Sequence, residues 1–354
     1  MDKAAVELLD KSTRERTRTL RTQVKRCRKQ FSEEAVHDLR VAMRRLLALT
    51  DFLAFLAPSP ALRKVRRDIK GHLDAFDTLR DTQVMLLETS QRVSELPEME
   101  PFHLFLQKRE KRLLRSAQKD INAIKNGYSK PLRATLKSIA QGNIDALAPV
   151  DDAYQTVLHR LALIDPTNTA TIHRVRIAFK RFRYSVEVVK PLLTTMPEQL
   201  LARLHDYQTL MGEIQDMEVM LRAIDEFAAK NQQCMMEPVR QFYQQRHAER
   251  VSAYIQRMNE VYSFWRAAPD RALPWEAASI VEPAAEAEEP ATENAAGEAL
   301  EPEHVEEAAE AQVDEVQTAA EVDEPVTDNS SHEGTPVEST NASNLSNYSR
   351  LDRT

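Results

Sequence analysis

Apolar residues recur along this chain with the spacing of helices. In residues 172–189, IHRVRIAFKRFRYSVEVV, the side chains of Val175, Phe179, Phe182 and Val186 fall on one side of a helix drawn at about 100° per residue. That stripe predicts a helix facing a core. His173, Arg176, Lys180 and Arg183 form a second stripe beside it, within an arc of about 80°. Glu187 is the only acid in the stretch, so the basic row lacks the interleaved partners of an ordinary solvated face. Residues 36–53, VHDLRVAMRRLLALTDFL, follow the same design: His37, Arg40, Arg44 and Arg45 match His173, Arg176, Lys180 and Arg181. Leu39, Met43, Leu46 and Thr50 take the core positions, and Leu47 stands where the other copy has Arg183. A second landmark follows each copy, LRDTQVML at 79–86 and IQDMEVML at 214–221. His37 precedes Asp81 by 44 residues and His173 precedes Asp216 by 43. Two landmarks in register predict an internal duplication.

The remaining periodic stretches also read as helices. Residues 3–30 carry Leu9, Leu20, Val24 and Cys27 on one side and Arg14, Arg18, Arg21, Lys25 and Arg28 on another. Ser32, followed by Glu33 and Glu34, predicts an N-cap with acids in the first turn. Pro58 and Pro60 end the first His helix near Leu56, and a helix with Arg63, Lys64, Arg66, Arg67 and Lys70 begins there. Further helices are predicted over 101–125, 151–164 and 235–264; Asp81 opens or continues a helix that ends before Pro97, and a separate helix follows at Asp216. No stretch reads better as a strand, and residues 1–275 hold only four glycines. The expected fold is all-α: two pseudo-symmetric bundles of long antiparallel helices over 1–145 and 146–268, then a disordered acidic tail over 269–354.

Charge sharpens this picture. Residues 276–354 carry 21 acids with Arg350 and Arg353 as their only bases, a net of −19. Residues 1–275 carry 46 bases and 34 acids, a net of +12. A basic body suggests a polyanionic partner. Arginine suits phosphate in particular, because its planar fork bonds two oxygens at once. Cys27 and Cys234 are the only cysteines and lack zinc-site spacing, which fits a reducing compartment. No secretory apolar region or membrane-spanning run is visible, so a cytoplasmic protein with no membrane partner is expected.

At the paired H-x-x-R-x-x-x-[RK]-R helices, each followed by D-x-x-V-[ML]-L, the chain resembles the CHAD domain family. The resemblance covers roughly residues 1–265. It implies a helical module that binds inorganic polyphosphate on a basic central surface, at polyphosphate granules or beside polyphosphate metabolism. Its expected contacts are His37, Arg40, Arg44, Arg45, His173, Arg176, Lys180, Arg181 and Arg183, supported by Arg14, Arg18, Arg21, Lys25 and Arg28. Other polyanions and proteins of the granule are further possible partners.

Two other functions compete. Nucleic acid rewards the same charges, but its readers add exposed aromatic platforms, and Phe179 and Phe182 fall on the core side here. A polyphosphate or triphosphate hydrolase needs an acid-rich metal site. His37-Asp38 spells the dipeptide of metal phosphohydrolases, yet Arg174 follows His173 in the repeat and no second ligand cluster is visible. No nucleophile–base pair or glycine-rich phosphate loop occurs, so neither catalytic residues nor a metal or cofactor is expected. Asp81 and Asp216 are expected to orient basic groups or cap helices. The tail reads as a solubilising extension, a competitor for the basic surface, or a docking arm for a basic protein.

Overall fold

The computed structural model describes residues 3–124, 127–142 and 145–279. Among these residues there are ten α-helices and no strand. They are α1 (Lys3–Lys29), α2 (Glu33–Leu56), α3 (Pro60–Arg92), α4 (Glu100–Ala123), α5 (Ser129–Ile139), α6 (Ala148–Leu161), α7 (Ala170–Val189), α8 (Leu200–Lys230), α9 (Glu237–Arg257) and α10 (Pro274–Ser279). The expectation of an all-α fold holds. The expectation for the acidic stretch 280–354 lies outside the described residues.

Local chemistry sets the helix ends. The Ser32 hydroxyl accepts a hydrogen bond from the Ala35 N–H at 3.2 Å, and Glu33 and Glu34 occupy the first turn of α2. Ser59 caps α3 in the same way, bonding the Ala61 N–H at 3.2 Å with Pro60 in the first turn. The expected break before Asp216 is absent, and of the two readings at Asp81 the continuing one holds. Helix α3 runs unbroken from Pro60 past Asp81, and α8 runs unbroken from Leu200 past Asp216. Neither aspartate therefore caps a helix. Helix α6 starts at Ala148, three residues before its expected start, and α9 gives way at Met258 to a 3-10 turn.

Packing follows chain order. Helix α2 lies between α1 and α3, and α3 also packs on α4; α7 lies between α6 and α8, and α8 also packs on α9. The α2–α7 and α3–α8 contacts join the two sets. One large apolar core takes in α1, α2, α5, α6 and α7 with the first halves of α3 and α8. A smaller core gathers Met85, Phe102, Leu106, Met220, Phe227 and Tyr243 from α3, α4, α8 and α9. On α3 the larger core ends at Leu79 and the smaller begins at Met85; on α8 the limits are Ile214 and Met220. Arg80, Asp81, Gln83, Gln215 and Asp216 fall in those gaps.

The segment after α9 is docked. Trp265 and Arg266 both donate to the buried carboxylate of Asp151 on α6, Arg266 through two bonds of 2.9 and 2.6 Å. Trp275 packs edge-on against Trp265, and Glu276 accepts from Thr195 at 3.0 Å. Composition alone places residues 269–276 in the tail; the structure places them on the body, because Leu273 and Trp275, which packs on Trp265, give this short segment an apolar anchor.

Candidate functional site: a cationic cleft and a buried charge network

Helices α2 and α7 pack together, and their basic stripes border one cleft of about 220 Å³. Arg44 comes from α2, Arg66 and Lys70 from α3, Arg160 from α6, and Lys180 and Arg181 from α7. These six bases share the lining with three acids, Asp51, Asp74 and Asp77, so positive charge dominates. Several of the cations are held by fixed partners. Arg66 pairs with Asp51 at 2.9 Å, Arg181 with Asp152 at 2.8 Å, and Arg160 donates to the Arg174 carbonyl at 3.0 Å. Such contacts direct guanidinium groups at low energetic gain, since exposed pairs stabilise by at most about 1 kcal/mol. The other wall material is apolar: Leu47, Phe52, Phe55, Ile177 and Tyr184 line the same cleft.

A buried network adjoins the cleft. Arg40 is only 2% exposed and donates to Asp77 at 2.8 Å and to the Leu73 carbonyl at 3.4 Å. Burial pulls the Arg40 guanidinium down to about 10, against the pull of Asp77. Asp77 is raised by its own burial, opposed by Arg40, Arg44 and Lys180. It therefore links the network to the cleft it lines. Burial, then the neighbouring charges of Asp77 and Asp216, push Asp81 up to about 8. Burial lifts Asp216 to about 7, although Arg176 and Arg80 oppose it. Arg80 also reaches Glu33 at 3.6 Å. Arg176 is 1% exposed and abuts α8 at Gly212, where an added Cβ would lie 3.8 Å from its guanidinium nitrogens.

The fourteen expected contact residues separate into groups. Arg44, Lys180 and Arg181 line the cleft. Arg40, His173, Arg176 and Arg183 are buried, and Arg44 is nearly so at the cleft wall, 9% exposed. His173 lies near Glu218, which His247 at 3.6 Å, Thr169 and His173 together hold low despite its burial. Arg183 stands 3.3 Å from His205, 3.8 Å from Glu187 and over the Tyr184 ring. His37 is half-buried and is not part of the cleft lining. Arg45 is exposed, 4.0 Å from Glu187, and its carbonyl accepts from Arg16 at 2.6 Å. None of the α1 row lines the cleft. Arg14 pairs with Asp10 at 2.8 Å, Arg18, Arg21 and Lys25 are exposed, and Arg28 donates to the carbonyls of Ile121, Asn122 and Ile124.

Arg66, Lys70 and Arg160 belong to the cleft but not to the expected set. The i,i+4 spacing of Arg66 and Lys70 in a basic run was the visible signal for two of them. Arg160 sits alone in its stretch, and only the packing of α6 on α7 brings it in. Asp38, the acid of the His37-Asp38 dipeptide, is bonded to Arg26. Among the described residues, no group of three or more His, Cys, Asp or Glu side chains is placed to hold a metal ion, and no helix is long and apolar enough to cross a membrane.

Fold and site together define an all-helical protein in which two basic helices pack side by side and border a cationic cleft. The family model for the CHAD domain matches residues 11–225, and the chain belongs to the CHAD domain family. The crystal structure of the CHAD domain from the plant Ricinus communis has a similar fold: 19% identity, a TM-score of 0.52, and coverage of 73% of this chain and 89% of that one. No curated protein matches the chain.

Proposed function

We propose that this protein binds inorganic polyphosphate in the cleft between α2, α3, α6 and α7, holding the polymer without cleaving it. The observation that carries this reading is the convergence of six basic side chains from four helices on one cleft, in a member of a family associated with polyphosphate binding. Arg44, Lys70, Arg160 and Lys180 are the contacts the cleft favours, with Arg66 and Arg181 at its border. Arg40, His173, Arg176 and Arg183 act from behind by fixing helix positions and local field. Each charge-assisted bond contributes roughly 1.5–3 kcal/mol at best, so a polymer that engages many cations gains affinity that a single phosphate lacks. The protein works in the cytoplasm, at polyphosphate granules, with granule proteins as neighbours.

A competition titration tests this. Labelled long-chain polyphosphate is challenged with single-stranded RNA, DNA and unlabelled polyphosphate at matched phosphate concentration across a salt series. Polyphosphate is expected to outcompete both nucleic acids, and Lys180→Ala combined with Arg44→Ala to weaken binding by at least tenfold and to flatten its salt dependence. Equal competition by RNA or DNA would replace this reading with a nonspecific polyanion surface.

A further inference from the structure

A bare phosphate chain presents no apolar surface, yet a large part of the cleft wall is apolar. Phe55 lines the cleft and is 41% exposed, although the large core is close by and takes in its neighbours Phe52 and Leu53. Tyr184 lines the cleft as well, with its ring under the Arg183 guanidinium at 4.6 Å. Along α2 the cleft runs from Arg44 to Phe55, eleven residues or roughly 16 Å of helix. The cationic and aromatic ends of this wall are thus well separated. Arg44 belongs to the same charge cluster as Asp77 and Lys180, so the first end is the phosphate end. The second end has Phe55, with the Arg66–Asp51 pair one turn back along α2. Thr156 and Ser185 add hydroxyls to the lining. Apolar wall set beside charged and hydroxyl groups suits a ligand that is itself part apolar and part anionic, and an accessible aromatic ring is how proteins hold a planar base.

From this juxtaposition we infer that the cleft takes nucleoside polyphosphates, with the phosphate chain at Arg44, Lys70 and Lys180 and the base against Phe55. The inference rests on the reading of this cleft as a phosphate-chain site and adds a ligand class to it. A nucleoside triphosphate and inorganic tripolyphosphate carry similar chains, so the base contact alone separates them. ATP is expected to bind the full-length protein about tenfold more tightly than tripolyphosphate.

The test is calorimetric titration of the full chain with ATP and with tripolyphosphate at equal ionic strength, on the native protein and on F55A, F55L and F55W. F55A and F55L are expected to bring ATP down to the tripolyphosphate affinity while leaving tripolyphosphate unchanged, and F55W to keep the preference. Leucine preserves apolar packing but not the planar face, which separates stacking from a structural role. ATP binding no better than tripolyphosphate, or losing as much as tripolyphosphate in F55A, overturns the inference while long-chain polyphosphate binding still stands. Failure of long-chain polyphosphate to bind at all overturns both.

Discussion

Arg40 and Arg176 occupy matching places on α2 and α7, yet their charges are met differently. Arg40 bonds Asp77 directly, four residues before Asp81. Four residues before Asp216 stands Gly212, and the acid that acts on Arg176 is Asp216 itself. Asp216 also answers to Arg80, and it repels Asp81. Two carboxyls so placed resist ionising together, which has a consequence for stability. In the folded protein Asp81 is raised from 3.8 to about 8 and Asp216 from 3.8 to about 7. An acid with a raised folded value keeps its proton where the unfolded chain has already lost it, so stability falls as pH climbs through this window and levels off above about 8. Urea denaturation across the window should show that decline. D81N and D216N should each stabilise the protein at the alkaline end relative to the acid end. A substitution that destabilises equally at both ends would mean the carboxyl is ionised throughout.

At the level of helices, the basic row of α1 has a different task from the rows of α2 and α7. Arg28 bonds carbonyls at the last turn of α4 and just beyond it, including that of Ile124 at 2.8 Å, which joins the C-terminal ends of α1 and α4. Cations at that end also meet the negative pole of the helix. R28A should therefore lower unfolding stability by about 1 kcal/mol and leave polyphosphate affinity unchanged. A loss of affinity without a loss of stability would return Arg28 to the binding surface. Much of the helix order was readable in advance, because Ser32, Pro58 and Pro60 act locally through a cap and missing donors. The unbroken course of α8 was not, and for α3 the choice between an opening and a continuing helix at Asp81 stayed open. The Arg80–Asp81 and Gln215–Asp216 pairs look like surface interruptions of an apolar pattern, and only the neighbouring helices cover them, Arg80 and Gln215 nearly fully and the two aspartates in part. The basic stripes of α2 and α7 were legible for the same periodic reason as their cores. That Arg40, His173 and Arg176 would be covered depends on what packs over them, which helical spacing within one segment does not encode.

For the molecule as a whole, the cleft is assembled from residues as far apart as Arg44 and Arg181, and its charge contrasts with that of the C-terminal stretch. Residues 276–354 have a net charge of −19 against +12 for residues 1–275. Opposite net charges on one chain attract, so the acidic stretch is a candidate competitor for anionic ligands of the cleft. Truncation after residue 279 should tighten polyphosphate binding, with the gain largest at low salt and fading as salt rises. Unchanged affinity at low salt would show that the acidic stretch does not compete for the cleft.

The partition of apolar contacts bears on how the fold comes apart. Among the described residues the larger core holds 49 buried residues and the smaller 11, with the charged gaps on α3 and α8 between them. A unit with so few apolar contacts opens at lower free energy than the rest. Amide protons on the first half of α9 and on the distal halves of α3 and α8 thus have a route to solvent that leaves the cleft intact, so breathing at that end and occupancy at the other are separable events.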